Sequence, residues 1–223
     1  MEINSELKLE LLETLKGFMH FVQDPRATTS VFEIQRGLSH QAISMKNVEH
    51  MLAQPGIQQL ADERYQPQRP SLTTLLLHPP GTLGHAYASS LLSAGFDPDF
   101  FEVIEVIGKG TYLDLRVRQT HDIWHVMTGF GTDLAGELGL QAFQLCQIYS
   151  PLSILIVAAG VLHAMGLGAP IEPLLRAIEA GIEIAATDTP MLAVRWEEHW
   201  GSDLDELRAG VGLRTARYEP YSV

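Results

Sequence analysis

The sequence predicts an all-α fold, a single-domain bundle of helices. Apolar residues make up 46% of the 223 residues, which is ample for one buried core. They recur at helical spacing along most of the chain, and only FFEVIEVIG at residues 100–108 reads as a candidate strand or as one end of a helix. Because no internal repeat, low-complexity tract or linker divides the sequence, we expect one domain over residues 1–223.

Residues 1–55 predict an N-terminal helical hairpin. Apolar side chains three or four residues apart mark a first helix in LKLELLETLKGFMHFV and a second over residues 31–52. The turn-like QDPRATTS separates them, and Ser30 is placed to cap the second helix. Residues 54–56, Gln-Pro-Gly, end that helix, and DERYQPQRP at residues 62–70 predicts a surface loop.

Residues 81–223 predict further helices. A short one begins after Pro80, DPDFF forms the turn after it, and helical spacing returns over residues 111–130. Near the C-terminus we expect one more helix, a break at Gly201 and a short acidic helix. Two apolar faces are expected here, one on an amphipathic helix and one on the helix before Gly201: Leu174, Ile178 and Ile182, and Trp196, His199 and Trp200.

Residues 138–171 contain no Asp, Glu, Lys or Arg. Their apolar centre, LSILIVAAGVLHAM, is shorter than the roughly 20 residues that a spanning helix needs, and Pro151 and GLGAP limit its length. We therefore expect a buried helical hairpin or an apolar wall for a hydrophobic ligand. A transmembrane span is the alternative, because lipid-embedded helices tolerate Gly and Pro. His163 is expected to be a hydrogen-bonded core histidine, with a pocket role as the alternative.

Charge and cysteine content exclude several classes of protein. Acidic residues outnumber basic ones 27 to 15, and the formal charge of -12 with no basic run argues against a nucleic-acid partner. The single cysteine, Cys146, can form no internal disulfide, which is typical of a reducing compartment. The start MEINSELKLE has neither the basic residues nor the apolar core of a signal peptide. We expect a cytoplasmic protein.

One stretch, QTHDIWHVMTGFGTDLAGELG, carries candidate metal ligands. On an α-helix each residue advances about 100° and rises about 1.5 Å, so His121 and His125 lie one turn and about 40° apart. Asp122 falls about 60° from His125, at the edge of the same face. Three potential ligands therefore share one side of the helix.

Glu137 can join them only if the chain reverses. On a continuous helix it would lie about 18 Å from His125 and about 120° round the axis. Gly129 and Gly131 allow the helix to stop, and Thr132 or Asp133 can cap a second one. This helix-turn-helix would form a metal site, in which two imidazoles and one or two carboxylates suit zinc, iron or manganese. Magnesium is kept as a further divalent candidate.

Three other interpretations of the motif remain open. A helical His-x-x-x-His pair is often an ordinary polar face. A zinc peptidase is disfavoured, because it would place glutamate where this sequence has Asp122. The His-Asp doublet also resembles helical metal phosphohydrolases, which need a further histidine upstream and an aspartate downstream. His85 and Asp188 could serve, although spacing does not select them, and His85 alone is more typical of a hydrogen-bonded structural histidine.

HDIWHVMTGFGTDLAGE is similar to the His-Asp-x-x-His-(x)11-Glu signature of the coenzyme Q biosynthesis family usually called Coq-four. Upstream, GTLGHAYASSLLSAGFDPD resembles the family's Gly-Thr-Leu-Gly segment, and downstream AVRWEEHWGSDLDELRAGVGL resembles its closing segment. The resemblance covers a family-like core at residues 81–223, about the last two thirds of the chain.

The resemblance implies an all-helical protein of ubiquinone biosynthesis that contacts the inner face of a membrane peripherally and acts beside other quinone-biosynthesis enzymes. A homodimer is a further expectation. It also implies a metal, usually zinc, at His121, Asp122, His125 and Glu137. Two roles are implied. One is oxidative decarboxylation of a polyprenylated 4-hydroxybenzoate, with Glu137 and Asp122 as catalytic residues, and the other is a non-catalytic scaffold that binds isoprenoid or quinone lipids.

Overall fold

The computed structural model describes residues 5–97 and 104–221. Within these residues the chain forms eleven α-helices and two 3-10 turns and no β-strand, which confirms the all-α prediction. The helices are α1 (Ser5–Gln23), α2 (Thr28–Leu38), α3 (Ala42–Leu52), α4 (Ile57–Glu63), α5 (Leu72–Leu75), α6 (Leu83–Ala94), α7 (Lys109–Thr128), α8 (Leu134–Ile148), α9 (Pro151–Gly166), α10 (Glu172–Ile184) and α11 (Leu204–Gly210). The 3-10 turns are Met191–Ala193 and Trp196–Glu198.

The helices form two compact units. The first comprises residues 1–51, 133–185 and 217–223, where α8 packs against α9 and α10, and α1 packs against α2 and α9. The second comprises residues 52–132 and 186–216, where α4 and α6 pack against α7. One domain over residues 1–223, with a helical hairpin at residues 1–55 and a family-like core at residues 81–223, stays a prediction.

The predicted N-terminal hairpin differs from the structure in two places. Its second helix is two helices, α2 and α3, because the hydroxyls of Ser39 and Ser44 donate to the carbonyls of Arg36 and Leu38 at the end of α2. The proposed cap is also wrong. Helix α2 begins at Thr28, and the hydroxyl of Ser30 donates to the carbonyl of Ala27 from within the helix.

Residues 54–80 contain two short helices, α4 and α5, that the sequence analysis missed. Helix α3 ends at Leu52, close to the break predicted at residues 54–56. Gly56, with φ of 80°, is the N-cap residue of α4. Asp62 and Glu63 belong to α4, so the predicted surface loop starts after them.

The predicted helix before Gly201 is wrong, because two 3-10 turns occupy its place. Side-chain donors reach carbonyls that a continuous helix would use: Trp196 Nε1 donates to the carbonyl of Met191, five residues earlier, and Arg116 in α7 donates to that of Val194. The side chains of Trp196 and Trp200 are buried as expected, whereas His199 is only half-buried.

Residues 104–108, the described part of the candidate strand at residues 100–108, form neither a strand nor a helix. Residues 98–103, which include four of the five residues of the expected DPDFF turn, lie outside the described residues.

The uncharged stretch forms the helical hairpin of α8 and α9. Most of α8 is buried, whereas α9 exposes Ile154, Leu162 and Met165. His163 is half-buried, and its Nδ1 lies 2.8 Å from the carbonyl oxygen of Val22, so it is a hydrogen-bonded histidine at the edge of the core. In the described parts of the chain, none of the helices has the length and apolar character needed to span a bilayer.

The buried face of helix α10 includes Leu174, as predicted, but is otherwise rotated away from Ile178 and Ile182. Ile182 is 55% exposed, and the buried positions are Leu174, Ala177, Ala180, Gly181 and Ile184. A Cβ atom on Gly181 would lie 2.1 Å from the carbonyl oxygen of Gly139 in α8, so the two helices touch through their backbones. Alanine and glycine contribute little to a hydrophobic pattern, so the spacing of large apolar residues does not reveal the buried face of α10.

Gly181→Ala should lower the free energy of unfolding by about 1–3 kcal/mol, because the added methyl group forces α10 away from α8. Urea denaturation followed by circular dichroism measures this change. Gly166→Ala in α9 is the matched control, since its added Cβ would meet nothing within 4 Å. Equal stability of the two variants would contradict the close contact.

Candidate metal centre

Helix α7 ends at a glycine that reverses the chain. Gly129 has φ of 83°, in the left-handed region that favours glycine, and its N–H donates to the carbonyl of His125 at 2.9 Å. Arg208 in α11 donates from Nε to the carbonyl of Met127 at 3.0 Å and from Nη2 to that of Val126 at 2.9 Å. These carbonyls belong to the last turn, where a helix lacks its own donors. Arg208 therefore caps the helix that carries both histidines.

Asp133, one of the two predicted caps, is the N-cap residue of helix α8. The carboxylate of Asp133 accepts hydrogen bonds from the N–H groups of Ala135 at 3.1 Å and Gly136 at 3.3 Å. The carbonyl of Asp133 accepts from the N–H of Glu137 at 2.9 Å. Glu137 thus lies in the first turn of α8, where the positive end of the helix dipole favours a carboxylate.

The structure brings His121, His125 and Glu137 together. One potential ligand atom from each of the three residues lies within 4.8 Å of the others. The two imidazole rings meet edge to face with centroids 4.9 Å apart. His125 is 6% exposed, and His121 and Glu137 are half-buried. The predicted chain reversal therefore brings Glu137 to the histidine pair. Asp122 is not a member of this cluster, and its assignment as a ligand stays a prediction.

The hydrogen bonding of His125 suits a metal ligand. Its Nδ1 lies 3.0 Å from the carbonyl oxygen of Phe130. A carbonyl oxygen can only accept, so Nδ1 carries the proton and Nε2 carries the lone pair that a metal requires. Ligating histidines commonly donate their other N–H to a carbonyl, which fixes the ring orientation.

The donor set fits a divalent metal. Two imidazole nitrogens and one carboxylate oxygen form a ligand set found in catalytic zinc sites, whereas structural zinc sites use four protein ligands. The same set also suits iron or manganese, so the chemistry of the ligands does not select one metal.

His85 and Asp188, considered for a phosphohydrolase site, join no cluster of three potential ligands in the described chain. The Nδ1 atom of His85 lies 3.1 Å from the carbonyl oxygen of His78, so this histidine has the structural role expected of it. Asp188 is exposed, and its side chain lies against Gly212.

A second polar cluster on α7 was missed by the sequence analysis. Arg116 is fully buried and forms an ion pair of 2.5 Å with Glu197. Burial, reinforced by the negative charges of Glu197 and Glu198, raises the pKa of the nearby Tyr65 to about 12, so its phenol stays protonated at neutral pH. No local sequence pattern pairs Arg116 with a glutamate 81 residues away.

Comparison with known proteins adds independent information. The family model "Coenzyme Q (ubiquinone) biosynthesis protein Coq4" matches residues 5–217. The chain is 28% identical to a crystal structure from Nostoc punctiforme PCC 73102, described as that of a candidate ubiquinone biosynthesis protein. The TM-score is 0.81, and the match covers 91% of this chain and 98% of that one.

Curated relatives carry the name "Ubiquinone biosynthesis protein COQ4, mitochondrial". The one from Eremothecium gossypii is 32% identical over 140 residues, which is 61% of this chain and 42% of that protein. The one from Aspergillus flavus is 27% identical over 177 residues, covering 73% and 58%. This chain therefore spans about half the length of the curated relatives that it matches.

Zinc should raise the midpoint of thermal unfolding of the metal-stripped protein. A ligand that binds only the folded state stabilises it by about 2.7 kcal/mol at a concentration of 100 Kd. His121→Ala and Glu137→Gln should each lose most of this response, because each removes one of the clustered ligands. Scanning calorimetry with and without zinc measures the response.

His163→Ala is the control for that experiment, since His163 lies outside the cluster and should leave the response to zinc intact. A zinc response in Glu137→Gln as large as that of the unmodified protein would exclude Glu137 as a ligand.

Proposed function

The chain belongs to the Coq4 family of coenzyme Q (ubiquinone) biosynthesis proteins, and from this premise we propose that it catalyses the metal-dependent oxidative decarboxylation of a polyprenylated 4-hydroxybenzoate. In this reaction the ring carboxyl group leaves as carbon dioxide and the same carbon gains a hydroxyl group. Dioxygen is the two-electron oxidant, and the step balances when dioxygen and water are consumed and hydrogen peroxide is released. The observation that carries the proposal is the cluster of His121, His125 and Glu137, three potential metal ligands within the His-Asp-x-x-His-(x)11-Glu signature.

The three cluster residues would hold the metal. His121 and His125 supply neutral nitrogens, Glu137 supplies a negative charge, and the hydrogen bond from His125 to Phe130 restrains its ring. A divalent metal bound there would stabilise negative charge on the substrate carboxylate or the adjacent ring oxygen. Because zinc exchanges no electrons, a zinc protein would need dioxygen to react with the substrate itself, whereas iron or manganese could contribute to the oxidation.

Asp122 is assigned the proton-carrying role. It follows His121 in α7, is half-buried and lies outside the cluster of three ligands. A carboxylate bound to a cation is driven to its charged form, whereas one that binds no cation stays available to carry a proton. Glu137 is then a ligand, and Asp122 exchanges protons with the substrate or with water.

The isoprenoid tail of the substrate is assigned to helix α9 and to the part of α8 that follows Glu137. From Leu138 in α8 to Gly166 at the end of α9, the chain contains no Asp, Glu, Lys or Arg. Helix α9 exposes Ile154, Leu162 and Met165. Burying each methylene of the tail contributes about 0.8 kcal/mol, so a polyprenyl chain gains substantial affinity from such a surface.

The family's place in quinone biosynthesis supports other enzymes of that pathway as partners. Exposed leucines of α1, among them Leu9, Leu12 and Leu15, support peripheral contact with the membrane that holds the prenylated substrate. The curated relatives are named mitochondrial, whereas for this chain we propose the cytoplasmic face of a membrane.

A folded, metal-loaded protein should release labelled carbon dioxide from a carboxyl-labelled, prenylated 4-hydroxybenzoate in detergent under air. Glu137→Gln should release none because it loses the metal. Asp122→Asn should retain the metal and lose about 100- to 10,000-fold in rate, as expected when a general acid or base is removed. Zinc-, iron- and manganese-loaded samples should be compared in parallel.

The alternative function is a scaffold in which the metal only fixes the helix-turn-helix and the apolar helices hold a quinone lipid. Binding of metal and lipid by the unmodified protein without any release of carbon dioxide would favour the scaffold over the enzyme. Full activity of Asp122→Asn would leave the decarboxylation intact and remove the proton-carrying role of Asp122.

A further inference from the structure

The carboxylate of Asp133 is a hydrogen-bond hub at the start of α8. Its Oδ1 accepts from the N–H groups of Ala135 and Gly136, at 3.1 and 3.3 Å, and from the N–H of Tyr221 at 2.8 Å. Its Oδ2 accepts from the phenol of Tyr218 at 3.0 Å. Two of the four donors come from the helix that Asp133 caps. The other two come from residues 218–221, which we call the C-terminal segment.

The C-terminal segment is itself anchored. Beyond Tyr218, the phenol of Tyr221 donates to the carbonyl of Pro170 at 2.9 Å, in the connection between α9 and α10. The segment thus approaches α8 from a fixed position, and Tyr218 reaches a residue 85 positions earlier in the sequence.

Asp133 connects this segment to Glu137. The carbonyl of Asp133 accepts from the backbone N–H of Glu137 at 2.9 Å, so the position of Asp133 determines where the first turn of α8 places that carboxylate. The three N–H donors all bind Oδ1, whereas the phenol of Tyr218 binds Oδ2, so Tyr218 restrains the second oxygen of the carboxylate. Hydrogen bonds to a charged acceptor are stronger than those between neutral groups, which makes Tyr218 an effective restraint.

We propose that Tyr218 is a positioning residue for the metal centre: its phenol fixes Asp133, and Asp133 holds Glu137 at the distance that metal binding requires. This inference rests on the metal site of the proposed function and deepens it. Tyr218 touches neither metal nor substrate in this role, and it acts through a carboxylate that caps a helix.

Tyr218→Phe removes the hydroxyl group and keeps the ring. We expect zinc to bind this variant about tenfold more weakly, at the lower end of the 10- to 100-fold loss typical of groups that support metal ligands. Tyr221→Phe is the matched control, because it loses the phenol bond to Pro170 but keeps the backbone N–H bond to Asp133, and it should bind zinc as the unmodified protein does.

Zinc affinity is measured by competition with a chelating dye, and thermal unfolding of the metal-free variants shows that each is folded. The absorption spectrum of the cobalt-substituted protein provides a second readout. Its bands should shift in Tyr218→Phe and not in Tyr221→Phe, which a loss of stability alone would not produce. Combining Tyr218→Phe with Asp133→Ser should weaken zinc binding no further than Asp133→Ser alone, because both act through one carboxylate.

Equal zinc affinity in the unmodified protein, Tyr218→Phe and Tyr221→Phe would overturn the positioning role and leave the metal site intact. Equal weakening in both tyrosine variants would also overturn it, since the effect would then belong to the whole segment. If the unmodified protein bound no divalent metal, the proposed function and this inference would fail together.

Discussion

Residues 129–133 reverse the chain between α7 and α8, and the metal-ligand cluster depends on this reversal. Gly129 adopts φ of 83° and ends α7 one turn after His125, and the carboxylate of Asp133 starts α8 one turn before Glu137. On an uninterrupted helix Glu137 would lie about 18 Å from His125, far beyond any shared ion. A left-handed glycine and a capping aspartate thus turn a spacing of 12 residues into a cluster within 4.8 Å.

Contacts from distant parts of the sequence hold α7 within its own unit. Arg208 caps its last turn, and the fully buried Arg116 pairs with Glu197 on a different face from the histidines. Removing one partner of a buried ion pair typically costs about 3–5 kcal/mol, because the other charge is left buried without compensation. The histidines are therefore presented by a helix whose position tertiary contacts restrain, as a preorganised metal site requires.

Sequence patterns predicted what local chemistry determines. Helical periodicity located α1, α6, α7 and α10, and the glycines and Asp133 predicted the turn before Glu137. What failed depends on contacts that no local pattern encodes. Between the 3-10 turns a distant donor, the guanidinium of Arg116, binds the carbonyl of Val194, and α10 buries Gly181 because the backbone of α8 lies against it. Helical geometry also puts Asp122 near the histidines, and its role as a fourth ligand stays a prediction, since the cluster comprises His121, His125 and Glu137.

We propose that His121, His125 and Glu137 bind one metal ion, and anomalous X-ray diffraction at the zinc edge from zinc-soaked crystals would locate that ion. We expect one strong peak bonded to the two imidazole nitrogens and the Glu137 carboxylate at about 2.0–2.2 Å. A bond to Asp122 as well would restore the four-ligand set predicted from the sequence. A peak elsewhere, or none at these three side chains, would rule out this metal site.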